Sequence, residues 1–149
     1  RQMCIRDSLA LKFAPEMVEG LTVGYGTGTI QTAISTEKDN STGYIKYAVG
    51  GFTVGYQQSE SDATSATNSD ETDTFGISYQ VTDDLAISYG ENTVDYESTS
   101  KVDQEASGVS ISYTMGSMSL SGGMNTVDNI GGTTTADKEG YEFALGFAF

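Results

Sequence analysis

The chain has 149 residues and a formal net charge of −14, with 21 acidic and 7 basic residues. This acidic balance argues against a nucleic-acid partner, because nucleic-acid recognition requires basic patches. The sequence has no histidine, no tryptophan and one cysteine, which excludes histidine acid–base catalysis, a disulfide framework and a Cys/His zinc site. We therefore expect no catalytic residues, no metal site, no cofactor and no enzymatic activity.

Residues 1–8, RQMCIRDS, differ in composition from everything that follows. They hold both arginines and the only cysteine, and they lack the apolar core of a signal peptide. We expect a non-native or disordered leader over 1–8 and a single β domain over 9–149. The alternative is an ordinary chain terminus.

From Leu9 onward, apolar and polar residues alternate in short runs, which is the pattern of β-strands. Abundant glycine and a single proline occur together with many Tyr, Thr, Val and Ile residues, a composition that favours strands. No apolar run approaches the ~18 residues of a membrane-spanning helix. In chain order, strands are predicted in LALKF (9–13), LTVGYGTGTIQTAIS (21–35), YIKYAVGGFTVGYQQ (44–58), TFGISYQVTDDLAISYG (74–90), GVSISYTMGSMSLSGGM (108–124) and YEFALGFAF (141–149).

The predicted connections are of two kinds. Tight turns are expected near residues 50, 83 and 116, with a slightly longer turn in PEMVEG (15–20), and long polar loops at 35–43, 58–73, 97–107 and 127–140. Short turns at one end and long loops at the other are typical of an antiparallel up-and-down meander. GYGTGT (24–29) lacks the spacing of a phosphate-binding loop, so we expect a kink or bulge there.

The two faces of these strands differ in an unusual way. One face carries Tyr, Phe, Leu, Ile and Val, and the other carries mainly Ser, Thr, Gly, Ala and Gln with few charges. Apolar residues outside and small polar residues inside are what a transmembrane β-barrel requires. The pattern therefore predicts an all-β, antiparallel, up-and-down transmembrane barrel. A soluble β-barrel or sandwich that binds an apolar ligand inside is the alternative.

The chain end and the hairpins resemble a known family. YEFALGFAF resembles the C-terminal signal of bacterial outer-membrane barrels, and KYAVGGFTVGYQQ and FGISYQVTDDLAISYG are similar to hairpins of alphaproteobacterial porins. The resemblance covers roughly residues 9–149 and involves no catalytic motif. It implies that the assembly machinery recognises the last strand through alternate large side chains, namely Tyr141, Phe143, Leu145, Phe147 and Phe149.

The number of strands leaves two architectures open. Counting LALKF gives nine strands, an odd number, whereas single-chain bacterial barrels have even numbers. This favours the C-terminal part of a larger barrel of about sixteen strands. Leaving out residues 9–13 gives instead a closed barrel of eight strands, whose interior would be filled by side chains.

A few charged residues are candidates for a functional site. Lys12, Lys46 and Glu142 fall on the small polar face, so the alternation predicts that they line a pore and tune its selectivity. An acidic extracellular loop is predicted within 58–73, where it would bias entry toward cations. Its carboxylates are Glu60, Asp62, Asp70, Glu71 and Asp73.

The resemblance implies a porin of the cell outer membrane, through which small hydrophilic solutes and ions diffuse passively. It implies contact with outer-membrane lipid, recognition by the barrel assembly machinery and a homotrimer. The alternative from another class is a small closed barrel with a structural or adhesive role.

Overall fold

The computed structural model describes residues 6–33, 36–63 and 69–148. Its regular structure consists of nine β-strands and one 3-10 turn at Ile130–Gly132. The strands are β1 (Arg6–Phe13), β2 (Leu21–Ala33), β3 (Thr36–Val49), β4 (Phe52–Ala63), β5 (Asp70–Gln80), β6 (Leu85–Tyr96), β7 (Gln104–Met115), β8 (Met118–Asp128) and β9 (Lys138–Phe147).

All nine strands form one sheet in the order of the chain, and each strand pairs antiparallel with the next. This confirms the predicted all-β, antiparallel, up-and-down fold. Residues 9–13 belong to β1, which pairs with β2, so the count of nine strands is confirmed and the count of eight is wrong. Within the described ranges, no helix is long and apolar enough to cross a membrane.

The predicted tight turns are confirmed. Residues 50–51 join β3 to β4 and residues 116–117 join β7 to β8, and Gly50 and Gly116 adopt φ of 57° and 59°. Glycine reaches this left-handed region without steric cost, which suits both turns. Between β5 and β6, the Thr82 hydroxyl accepts hydrogen bonds from the backbone N–H groups of Asp84 and Leu85.

The strands extend further into polar sequence than expected. Residues 36–43 belong to β3, residues 58–63 to β4 and residues 70–73 to β5, so the predicted loops at 35–43 and 58–73 are wrong over those residues. The other two long loops are also shorter than predicted: they span 97–103 and 129–137, because residues 104–107, 127–128 and 138–140 belong to strands. Polar strand ends resemble loops in sequence because both of their faces carry hydrophilic side chains.

The structure differs from the expectations for residues 1–8 and 24–29. β1 begins at Arg6, inside the stretch expected to be a leader, and the non-native origin of residues 1–8 stays a prediction. GYGTGT pairs with β3 in continuous register, and the one register shift of that strand pair lies between Gln31 and Ala33. The bulge expected at 24–29 is therefore wrong, because these residues pair in continuous register with both β1 and β3.

The alternation of side chains gives the sheet two chemically distinct faces. We call the face with Ile45, Val54 and Ile111 the aromatic face, because it also carries most of the tyrosines and phenylalanines, and the opposite face the small-residue face. No hydrophobic residue of the described part is buried. The large apolar side chains thus have no core to pack into within these residues.

The strands are tilted relative to the line of the short turns. The row of directly paired residues that starts at Phe52 reaches Gly122 on β8, passing through Tyr79, Ile87 and Ile111. Phe52 is the first residue of β4 after its turn, whereas the first residue of β8 is Met118, four residues from Gly122. Over the four strand steps from β4 to β8, the turn-side end therefore shifts by four residues, or one residue per strand. With a rise of about 3.3 Å per residue and a strand spacing of about 4.8 Å, this stagger corresponds to a tilt of about 35°. Closed β-barrels have tilts of this size.

Candidate functional site

The small-residue face presents a broad polar surface. Gly55, Gly76, Gly90 and Gly108 form one row of directly paired residues across β4 to β7. Ser88 and Ser110, on neighbouring strands, join their hydroxyls at 2.7 Å. Side chains this small keep the surface low and hydrophilic, which suits the inner wall of a barrel.

The three charged residues predicted on this face lie there. Lys12, Lys46 and Glu142 each alternate with aromatic-face neighbours, and all three side chains are exposed. That they line a pore stays a prediction. By the same alternation, three more described charged side chains belong to this face, none of them predicted there from the sequence: Lys38, Lys138 and Asp70.

Lys38 and Asp70 neutralise each other. The Lys38 Nζ atom lies 3.2 Å from Asp70 Oδ1, although the two residues are on β3 and β5 with β4 between them. Ala63 and Ser61 are their partners on β4, and these short side chains leave room for the ammonium to reach across. Both charged side chains are about one-third exposed.

Lys12 and Lys46 form a second charged group on this face, which we call the lysine patch. Lys12 pairs with Gly24 and Lys46 pairs with Thr22, both on β2. Two strand spacings and a two-residue offset place their Cα atoms about 12 Å apart. The ring of Tyr44 lies over Gly24. An added Cβ at this position would be 2.1 Å from Tyr44 Cε1, so only glycine fits there.

The aromatic face carries a belt of exposed apolar side chains. Tyr141 and Phe143 of β9 are 78% and 74% exposed, and Leu145 and Phe147 follow on the same face. Phe149, the last residue of the predicted assembly signal, lies outside the described residues. Phe52 and Tyr79 stack with ring centroids 4.1 Å apart. A belt of this kind is stable only against a partner as apolar as itself.

Tyrosines and carboxylates meet at the edge of this belt. The Tyr56 hydroxyl donates a hydrogen bond to Asp73, and the Tyr89 hydroxyl donates one to Glu91. A tyrosine side chain has an apolar ring and a polar tip, which suits a boundary between lipid and water. The edge therefore marks where the apolar belt ends on β4 and β6.

Beyond the tyrosines, the aromatic face becomes strongly acidic. Four of the five carboxylates predicted in a loop, Glu60, Asp62, Glu71 and Asp73, lie on this face within β4 and β5, whereas Asp70 lies on the opposite face. Their placement in a loop was wrong because both strands continue through them. We call the whole group the acidic belt: Glu37, Asp39, Glu60, Asp62, Glu71, Asp73, Glu91, Asp95, Glu105, Asp128 and Glu139.

Several carboxylates of the acidic belt face each other directly. Asp39 pairs with Asp62, and Glu60 pairs with Glu71, an arrangement that costs stability because like charges repel. Glu60 lies four residues beyond Tyr56, outside the apolar belt. The neighbouring Asp62 carboxylate, and after it the partial desolvation of Glu60 and the charge of Glu71, raise the pKa of the Glu60 carboxyl above its usual range.

The two described long loops pack on each other. The backbone N–H of Val102 donates to the Gly132 carbonyl at 3.3 Å, and the Asn129 side-chain amide donates to the Asp103 carbonyl at 3.0 Å. Lys101 places its ammonium 4.1 Å from the centroid of the Tyr96 ring, a cation–π contact. The loops 97–103 and 129–137 thus form one structural unit beside the acidic belt.

The described ranges contain no group of three or more His, Cys, Asp or Glu side chains that could hold a metal ion. Among the same residues, the groups brought together are lysines and carboxylates on the small-residue face and carboxylates on the aromatic face. Odd and even positions of a strand lie on opposite faces, so the sequence alone would have revealed both sets of charged residues. Glu60 and Asp62 have the same parity as Val54 and Tyr56, and this phase continues through the polar end of β4.

One comparison with known proteins identifies the family. A family model described as Gram-negative porin matches residues 5–149, which is nearly the whole chain. No curated protein and no solved structure is matched. The resemblance to alphaproteobacterial porins is narrower than this match and stays a prediction. The exposed apolar belt, the polar opposite face and the matched range agree: the chain belongs to the Gram-negative porin family, whose members are β-barrels of the outer membrane.

Proposed function

We propose that these nine strands form part of the wall of a water-filled channel, through which small hydrophilic solutes and ions diffuse passively across the outer membrane. The observation that carries this proposal is the contrast between the two faces. The aromatic face exposes large apolar side chains without a core to bury them, which fits contact with lipid. The small-residue face is polar, as the lining of an aqueous channel must be.

The chain belongs to a family of channels, and we propose that it has no enzymatic activity. The sequence has no histidine and one cysteine, at position 4. The usual pairs of a nucleophile and an activating base therefore cannot be assembled from it.

We propose that the nine strands are the C-terminal part of a larger barrel. β1 and β9 are the two edges of the sheet, and because consecutive strands alternate in direction, these two strands run the same way. Closing the sheet on itself would pair them in parallel, whereas barrels of this kind are antiparallel and have an even number of strands. An odd number of further strands between β9 and β1 would close a barrel of roughly sixteen strands.

The proposed partners follow from the aromatic face and from the family. Outer-membrane lipid would cover the apolar belt, and the barrel assembly machinery would bind β9 through Tyr141, Phe143, Leu145 and Phe147, with Phe149 completing the signal. Homotrimer formation is proposed from the family resemblance. β9 supports the proposal on assembly, because its four described large side chains lie on one face and are at least half exposed.

The expected preference for cations rested on carboxylates in the segment 58–73. Glu60, Asp62, Glu71 and Asp73 lie on the aromatic face, on the far side of the wall from the proposed channel. Asp70 lies on the channel side but is paired with Lys38. These positions give no support to a cation preference.

Single-channel recording in planar lipid bilayers tests the proposed function. The complete native protein that contains these nine strands is purified, refolded in detergent and added to a bilayer in potassium chloride. We expect stepwise openings whose conductance rises in proportion to the salt concentration. A protein that inserts and is fully folded but never conducts would contradict the proposal and support a closed structural barrel.

A further inference from the structure

The charges of the described strands are segregated by face. Every lysine side chain of the described strands, Lys12, Lys38, Lys46 and Lys138, lies on the small-residue face. The carboxylates lie on the aromatic face with two exceptions, Asp70 and Glu142. Among the strand side chains that the structure describes, four lysines against two carboxylates leave a net charge of +2 on the small-residue face, although the chain as a whole carries −14.

The positive charge is concentrated at one place. Lys38 is neutralised by Asp70 at 3.2 Å, and Lys138 lies on β9, where Glu142 adds the opposite charge to the same face. The lysine patch on β1 and β3 has no carboxylate beside it on this face among the described side chains. Between it and β9, the small-residue face of β4 to β8 carries only glycine, alanine, valine, tyrosine and uncharged polar side chains, apart from Asp70.

We infer that this part of the channel wall favours anions, and that Lys46 and Lys12 set the preference while the acidic belt has little influence on it. The inference rests on the proposed function. A fixed charge that faces the lumen acts on a passing ion through a few ångströms of water. The acidic belt acts from the other side of the wall, and at 1 M salt the screening length is about 3 Å.

Three single substitutions in the complete native protein test this inference, each measured as a reversal potential under a tenfold potassium chloride gradient. Lys46→Gln removes a lumen-facing positive charge and should lower the anion-to-cation permeability ratio about twofold. Glu142→Gln removes a lumen-facing negative charge and should raise the ratio by a similar factor. Glu139→Gln removes the same charge from the other face of β9, three residues away, and should leave the ratio unchanged.

Controls separate selectivity from folding. Lys46→Arg keeps the charge and should retain the wild-type ratio, and unchanged single-channel conductance steps show that each variant still forms a normal pore. The inference is overturned if Lys46→Gln leaves the ratio unchanged, or if Glu139→Gln shifts it as far as Glu142→Gln does. The absence of any current from the wild-type protein would instead overturn the proposed function. Stepwise currents with an unaltered ratio in every variant would overturn the inference alone.

Discussion

The Lys38 ammonium reaches across β4 to lie 3.2 Å from the Asp70 carboxylate of β5. This ion pair joins two strands that share no backbone hydrogen bonds, and it neutralises one of the four lysines of the small-residue face. The contact is partly exposed, and exposed pairs contribute about 0–1 kcal/mol to stability. Its main consequence is therefore for the charge of the wall and not for the fold.

Removing the Asp70 carboxylate should leave the positive charge of Lys38 without its partner. We expect Asp70→Asn to raise the anion-to-cation permeability ratio, because Lys38 then faces the lumen without its partner, while the stability of the barrel changes by less than about 1 kcal/mol. Glu71→Gln is the matched control, since it removes a carboxylate from the next residue on the opposite face. Equal shifts in the reversal potentials of both variants would contradict the assignment of the two faces.

A charged residue should lower the stability of the barrel more on the aromatic face than on the small-residue face. Ile111 is 49% exposed and lies in the middle of the belt on β7. We expect Ile111→Lys to lower the free energy of unfolding from lipid vesicles by about 2–4 kcal/mol, the cost of a lysine at the bilayer midplane. Ser110→Lys introduces the same charge next to it on the polar face and should cost much less. Urea titration of both variants in vesicles measures the difference, and equal losses would argue against lipid contact at Ile111.

The loop unit depends on Gly132, which is buried and adopts a φ of 79°. An added Cβ would lie 2.8 Å from Lys101 Cβ, so we expect Gly132→Ala to loosen the contact between 97–103 and 129–137. Backbone strain alone contributes about 1–2 kcal/mol. Limited proteolysis should cut this variant faster than Gly131→Ala, because Gly131 has a similar φ with open space around it. Identical cleavage rates would show that the contact with Lys101 is unimportant.

Stability should rise as the acidic belt is protonated. The pKa of Glu60 is raised by Asp62 first, then by partial desolvation and by Glu71, so the folded state binds the proton more tightly than the unfolded state does. The stabilising contribution is complete below the ordinary pKa of a glutamate and is lost as the pH rises through the folded-state pKa. Glu60→Gln should therefore reduce the gain in stability on acidification.

The control for this pH effect is Glu139→Gln. Glu139 pairs with Thr126 and not with another carboxylate, so its removal should leave the pH dependence close to that of the wild type. Urea unfolding at several pH values measures both variants. A wild-type pH dependence in Glu60→Gln would show that repulsion at Glu60 does not influence stability.

The sequence predicted the strands, the tight turns and the two faces, because each depends on local alternation or turn chemistry. It did not predict where strands end in polar sequence. Residues 36–43 hydrogen-bond in β3, yet their composition is that of a loop. The contact between Lys38 and Asp70 could not be predicted either, since it spans three strands and requires their registers. The face on which Glu60 lies could have been predicted, because the alternation that places Tyr56 continues through Glu60.

We propose that the aromatic face contacts lipid and the small-residue face contacts water. Single cysteines placed along β7, in a background with Cys4 replaced, test it directly when the complete native protein is folded into lipid vesicles. We expect a membrane-impermeant thiol reagent to label positions 110 and 112 rapidly and positions 109, 111 and 113 slowly, and we expect brominated lipid to quench a thiol-linked fluorophore only at 109, 111 and 113. Rapid labelling of position 111 together with protection of 110 and 112 would contradict the claim, because the apolar face would then lie in water.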